Sequence, residues 1–187
     1  MIKKKYLSCI KVKTIHKTYR FALLPTKEQE VLLNKHLGCV RFVFNYFLNE
    51  RIDQFRESKK SDNYHKQAST LTLLKRQEAT RWLKEVNSQA LQAALRNLDI
   101  AFVNFFRGTA KFPRFKSKRK KNSFSIPQFV AVCDGKLYFP KFREGIKLIL
   151  HRELKGEIRH CTISKTPAGK FFVSVLCQVQ HTPLANG

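Results

Sequence analysis

The chain has 187 residues, with Lys and Arg at 37 positions against 13 for Asp and Glu, a formal charge of +24. Hydrophobic residues make up 43% and sixteen residues are Phe, an apolar load that excludes a disordered basic tail. A compact state with this much like charge repels itself unless a polyanion relieves it, so the composition implies a partner rich in phosphate.

Residues 1–25 read as extended. The stretch Tyr19 to Pro25 alternates loosely and ends at proline, as a strand running into a turn does. Residues 1–14 read as an add-on, one more strand or a disordered extension, and Lys3, Lys4, Lys5, Lys11, Lys13 and Lys17 make this end basic. Met1–Lys13 lacks the apolar core of a signal peptide. No stretch reaches the roughly 20 apolar residues of a membrane span, so a cytoplasmic, nucleoid-associated protein without membrane contact is expected.

Residues 26–107 read as helical. Thr26-Lys27-Glu28-Gln29 is a capping box, and Val31, Leu32 and Leu37 give the first helix an apolar side. Gly38 is placed to end that helix in the left-handed conformation. Val40, Val43, Phe44, Phe47, Leu48, Ile52 and Phe55 then recur at helical steps with Arg51 as the polar interruption. Two helices about a glycine suit a helix-turn-helix unit. A polar connection follows over 57–66, then a helix around 69–80, with Trp82, Leu83 and Val86 expected in the core. The spacing predicts a helix over 88–107 whose stripe of Leu91, Ala94, Leu95, Leu98, Ala101, Phe102, Phe105 and Phe106 is buried throughout.

Residues 108–122 break the pattern. Lys111, Arg114, Lys116, Lys118, Arg119, Lys120 and Lys121 fall in one short segment with Phe112 and Phe115 between them. Pro113 disfavours helix there, so this is a loop able to track a phosphate backbone and to offer aromatic faces to bases. Arg41, Lys75 and Arg76 spread further charge over the helices. Residues 123–180 read as β, with 123–133 and 136–142 flanking the hairpin signal Asp134-Gly135, a short run at 146–150, and strands over 158–165 and 170–180 about a turn at 166–169. About five short strands suggest a small barrel or sandwich. The fold class expected is α+β, a small β-barrel-like part interrupted by an inserted helical bundle.

No catalytic constellation emerges. The five Cys (Cys9, Cys39, Cys133, Cys161 and Cys177) are odd in number and never two apart in C-x-x-C fashion, which argues against both disulfides and zinc. The carboxylates form no pair or set suited to two metals, the six His lack metal-ligand spacing, and no glycine-rich phosphate loop occurs. Asn45, Asn63, Gln89 and Gln92 are the amides able to read base edges.

Several stretches in order carry a resemblance: Tyr19–Gln29, Gly38-Cys-Val-Arg-Phe-Val-Phe-Asn45, Leu71–Lys75, Trp82–Val86, Ser88–Gln92, Leu95–Asp99 and Phe112-Pro-Arg-Phe-Lys-Ser-Lys118. From about Tyr19 to Gln180 the chain resembles the N-terminal half of the OrfB/TnpB proteins of bacterial insertion sequences, RNA-guided DNA nucleases. The resemblance implies a β wedge (1–25 and 108–187) interrupted by a helical recognition lobe (26–107). It implies guide RNA and double-stranded target DNA as partners. Tyr64, Ser88 and Gln92 match the positions that read a short DNA motif beside the target, Ser88 standing where relatives can carry Lys. The family's RuvC domain and four-Cys zinc finger have no counterpart here, so no cofactor is expected in this chain, the Mg and Zn sites lying in the part it lacks. The chain is thus expected to bind without cutting, alone or beside a separately encoded catalytic half, the alternative being a free-standing helix-turn-helix DNA-binding protein.

Overall fold

A computed structural model describes residues 13–60, 62–120 and 122–181. The add-on expected over 1–14 lies almost wholly outside these residues, and so does Lys121. Strand β1 (Lys13–Leu24) comes first. It is followed by α1 (Lys27–Ser58), α2 (Tyr64–Leu74), a 3-10 helix (Glu78–Lys84) and α3 (Ser88–Phe106). Six more strands complete the order: β2 (Asn122–Ile126), β3 (Ala131–Cys133), β4 (Lys136–Phe139), β5 (Phe142–Ile149), β6 (Glu157–Lys165) and β7 (Phe171–His181).

The capping box forms as its sequence requires. The Gln29 N–H donates to Thr26 Oγ1 at 3.3 Å and the Thr26 N–H to Gln29 Oε1 at 3.1 Å. Gln29 Nε2 also donates to the Gly145 carbonyl at 2.9 Å, tying the helix start to β5. The turn expected at Gly38 is absent, because α1 runs unbroken for 32 residues. Leu33, Leu37, Val40, Val43, Phe44, Phe47 and Leu48 are all buried, so one apolar stripe continues across the glycine. Burying each large side chain is worth about 1.5–3 kcal/mol. A glycine in a helix interior costs only about 1 kcal/mol relative to alanine. The stripe therefore carries the helix through, and α1 ends at Lys59 in the left-handed region (φ 57).

Arg51 interrupts that stripe yet is only 4% exposed. Its Nη2 donates to Asp99 on α3 at 2.7 Å, its Nε to Gln67 Oε1 on α2 at 3.1 Å, and its guanidinium lies 4.8 Å from the Phe102 ring centre. One side chain thereby joins all three helices. On α3, Leu91, Ala94, Leu95, Leu98 and Phe102 are buried as expected, but the stripe does not stay covered to its end. Phe106 is 71% exposed, because the segment after α3 packs Phe112 onto Phe102 and Phe105 and leaves Phe106 at the rim of the groove. Trp82 also departs from expectation. It is exposed, with Nε1 donating to the Ala79 carbonyl, while Leu83 and Val86 occupy the core.

The strands form one seven-stranded antiparallel sheet in the order β2-β6-β7-β1-β5-β4-β3. Among the described residues it is open rather than a closed barrel, with β2 and β3 as unpaired edges. Only four residues, 127–130, join those edges. They reach at most about 17 Å, whereas a flat seven-stranded sheet would set its edges about 29 Å apart. The sheet must therefore curl, and the barrel-like expectation fails only at closure. Pro127 has no N–H to offer across the gap, and β3 is three residues long with all its pairing on β4. Residues 123–133, expected as one strand, divide here into β2 and β3. Asp134 and Gly135 both take positive φ (48° and 68°), as the two-residue hairpin between β3 and β4 demands.

Helices and sheet share one core, and His36 on α1 is its junction. Fully buried, it donates from Nδ1 to the Leu32 carbonyl at 2.8 Å and accepts the Asn87 N–H on Nε2 at 3.0 Å. Its ring packs against Phe124 of β2 and Phe142 of β5, at 5.2 and 5.6 Å between centres. The Leu32 acceptor and the Asn87 donor together fix the neutral tautomer. Burial pushes its pKa below the usual 6.5. No helix among the described residues is long and apolar enough to cross a membrane.

Candidate nucleic-acid interface

The basic segment after α3 is held in place rather than free. Asn45 of α1 grips the Lys116 main chain twice, accepting its N–H at 2.8 Å and donating to its carbonyl at 3.0 Å. Asn122 donates to the carbonyls of Lys118 and Lys120, at 3.0 and 2.7 Å, and closes the turn there. Pro113 is buried. The Lys116 ammonium folds back to 4.1 Å from the Phe44 ring centre, where burial lowers its pKa. Lys111, Arg114, Lys118, Arg119 and Lys120 remain exposed.

The segment, α1 and the β6–β7 turn enclose a cleft of about 700 Å³, with Arg41, Lys118, Arg119, Lys120 and Lys165 on its walls. A second cleft of about 250 Å³ adjoins it and adds Arg114, Phe115 and Lys116. No carboxylate lines either one. Among the described residues, none of the seven ion pairs involves Arg41, Arg114, Lys116, Lys118, Arg119 or Lys120. Lys165 is the exception, reaching Glu30 at 3.4 Å and Asn34 Oδ1 at 2.9 Å. The acids are used elsewhere, so these cations present uncompensated charge to a phosphate backbone.

The two aromatic residues of the segment separate. Phe115 is 55% exposed on the wall of the second cleft and offers a face to a base. Phe112 packs edge-on against Phe102 and Phe105 at 5.7 and 5.2 Å. It belongs to an apolar groove with Phe55 and Phe106, bordered by Arg51 and Arg56 rather than by the cations of the clefts.

Tyr64, Ser88 and Gln92 share one outer face of the helices. On α3, Ser88, Gln92 and Arg96 stand at four-residue steps, and all three are exposed. Arg96 Nε donates to the Tyr64 hydroxyl at 3.3 Å, and Lys75 Nζ donates to Ser88 Oγ at 3.0 Å. Partial burial lowers the Lys75 pKa. Gln92 thus lies between two cations, an amide with free donors and acceptors where phosphates would be held on either side. Arg76 is exposed at the end of α2 and forms no ion pair among the described residues. Two of the other amides have structural roles, Asn45 as above and Asn63 as the cap of α2, while Gln89 has its Oε1 buried without a hydrogen-bond partner.

Lys165, Asn34, Asn122 and Gly38 also line the main cleft, and the sequence reading singled out none of the four as a binding residue. Lys165 meets Asn34 across 131 positions of chain, a juxtaposition created only by the sheet. No group of three His, Cys, Asp or Glu able to hold a metal occurs among the described residues.

A family model described as a helix-turn-helix domain, that of the OrfB insertion-sequence proteins, matches residues 15–60. In this chain those residues form β1 and the continuous α1. The chain is 34% identical over 173 residues to a Streptomyces pristinaespiralis protein with the proposed activity of an RNA-guided DNA endonuclease, covering 90% of this chain and 43% of that protein. It is 33% identical over 159 residues to InsQ of Escherichia coli K12, another proposed RNA-guided DNA endonuclease, covering 84% of this chain and 39% of InsQ. It is also 34% identical over 111 residues to the virulence protein VsdF of Salmonella dublin, covering 54% of this chain and 93% of VsdF. The chain thus spans about two-fifths of the length of the first two relatives.

Proposed function

The chain belongs to the OrfB/TnpB family of insertion-sequence proteins and matches its DNA-binding N-terminal part, and on that premise we propose that it grips a guide RNA and duplex target DNA without cutting either. The observation that carries the reading is the pair of clefts walled by cations of which, among the described residues, only Lys165 has a carboxylate partner. A backbone seated there releases condensed counterions, which gives binding a steep salt dependence. The stripe of Tyr64, Ser88 and Gln92 between Arg96 and Lys75 supports a second role, reading a short DNA motif beside the target. Base pairing by the guide would specify the rest. The Mg and Zn chemistry of a nuclease would come from another stretch of polypeptide, in the same protein or a partner.

A regulator that works alone through a helix-turn-helix is less well supported, because α1 passes straight through the position where its turn would be. Gel-shift titration of the purified chain with structured guide-type RNA and with duplex DNA, with and without Mg²⁺, tests the proposal. The expected result is RNA and duplex binding that weakens steeply with salt, and a target plasmid left intact. Cleavage of that plasmid, or no binding to either nucleic acid at low salt, overturns it.

A further inference from the structure

Gly38 has no reason within the chain to be glycine. It lies inside α1 with helical backbone, so no positive φ calls for it. A Cβ built on it meets no atom within 4 Å, so close packing does not call for it either. Almost any other residue would favour the helix more. What Gly38 does is line two openings. One is the cationic cleft of about 700 Å³. The other is an adjoining hollow of about 480 Å³, edged by Phe42, Trp82 and the paired Lys35 and Glu85. Arg41, one turn along, borders both. With no side chain at Gly38, the surface between the two openings stays low, a path over the glycine from the cations toward the exposed indole. Close approach of backbone to a ligand is a use that glycine alone serves.

We infer that this path seats one or two nucleotides of an unpaired strand, with phosphates on Arg41 and Lys118–Lys120 and a base against Trp82. The aromatic end favours a single strand, since a base can lie against the indole only when it is not stacked within a double helix. The arrangement of the two ends agrees. Cations line one side, and on the other the Trp82 indole has its N–H already given to Ala79 and its ring edge-on to Phe42 at 5.0 Å, leaving aromatic surface open. Phosphate tracking combined with stacking is the usual chemistry of single-strand binding. The inference rests on the nucleic-acid reading above and adds to it a place and a strand state.

Fluorescence anisotropy at fixed salt tests it with three probes: a uridine decamer, a thymidine deoxydecamer and a ten-base-pair duplex. Gly38→Leu fills the path without touching a charge, and better helix propensity keeps its melting temperature at or above that of the parent. It is expected to weaken one or both decamers at least tenfold and the duplex less than twofold, with Gly38→Ala within threefold on all. Trp82→Ala, a second obstruction-free variant, is expected to weaken the same decamer about fivefold or more. Loss on the uridine decamer alone names RNA, loss on the deoxydecamer alone names DNA, and loss on both names the shared backbone. Unchanged decamer binding by Gly38→Leu overturns the inference alone, as does an equal loss on the duplex. A parent chain that binds none of the probes overturns the nucleic-acid reading and this inference with it.

Discussion

Removing one carboxylate should show how the three helices are held in register. In Asp99→Ala the Arg51 guanidinium keeps its bond to Gln67 and its contact with Phe102, but loses its one ion-pair partner among the described residues. Orphaning one member of an enclosed ion pair costs about 3–5 kcal/mol. Asp99 is 35% exposed while Arg51 is 4% exposed, so water can reach the guanidinium from one side only, and about 2–3 kcal/mol is the expected loss. Arg51→Met alone leaves Gln67 Oε1 buried without a donor, at about 1–3 kcal/mol. Arg51→Met with Gln67→Leu removes the buried polar side chains of the network, leaves Asp99 to the water that already reaches it, and should cost about 1 kcal/mol or less. Urea unfolding followed by far-UV circular dichroism measures all three. A double variant less stable than Asp99→Ala would refute the reasoning, because the network would then be worth more than the burial of its charge. The loss matters to function, since Arg51 sets α2 against α3 and so aligns Tyr64 with Arg96.

Stability should also fall on acidification through His36. Its folded pKa is depressed by burial and, to a smaller degree, by Lys141. The unfolded chain therefore takes up the proton first, and the contribution is present above about pH 6.5 and lost as pH drops through the folded value. His36→Gln should flatten urea midpoints in that window, and a slope unchanged from the parent would assign it to other groups. Changing Lys118, Arg119 and Lys120 together to Gln should reduce the slope of log K against log salt by about 2–3, at 0.7–0.9 per phosphate. Unchanged slopes in filter binding would remove these residues from the interface. Gln92→Ala should cost about 1–3 kcal/mol at a preferred flanking motif and nothing on unrelated duplex. Competition gel shifts with a randomised flank would show equal loss on all sequences if Gln92 contacts only the backbone.

How far the sequence reveals this molecule depends on the range of the interaction concerned. The capping box at Thr26, the hairpin at Asp134-Gly135 and the turn at 166–169 are settled by neighbours, and all are as expected. Gly38 misled because a local stop signal was outweighed by burial of residues on both sides of it. Closure of the sheet depended on whether two edges far apart in sequence could pair, and no local pattern carries that. The basic segment was legible as charge, but its latch through Asn45 was not, since an amide on a helix gives no sign that it will hold a loop 71 positions away. Lys165 entered the cleft in the same way, through strand order alone.

The same distinction bears on how a chain of +24 charge stays compact. Most of its ion pairs are exposed, and pairs of that kind contribute about 0–1 kcal/mol each. They cannot offset the self-repulsion of the remaining cations. Stability must come instead from the core shared by helices and sheet, with His36 neutral at its centre and Arg51 paired within it. The unneutralised cations are then concentrated where the core can tolerate them, on a latched segment facing α1. A polyanion seated there stabilises the folded state by mass action and by relieving repulsion. The features that weaken the isolated fold are thus the ones that strengthen its complex, and melting temperature should climb most with those polyanions that the clefts hold best.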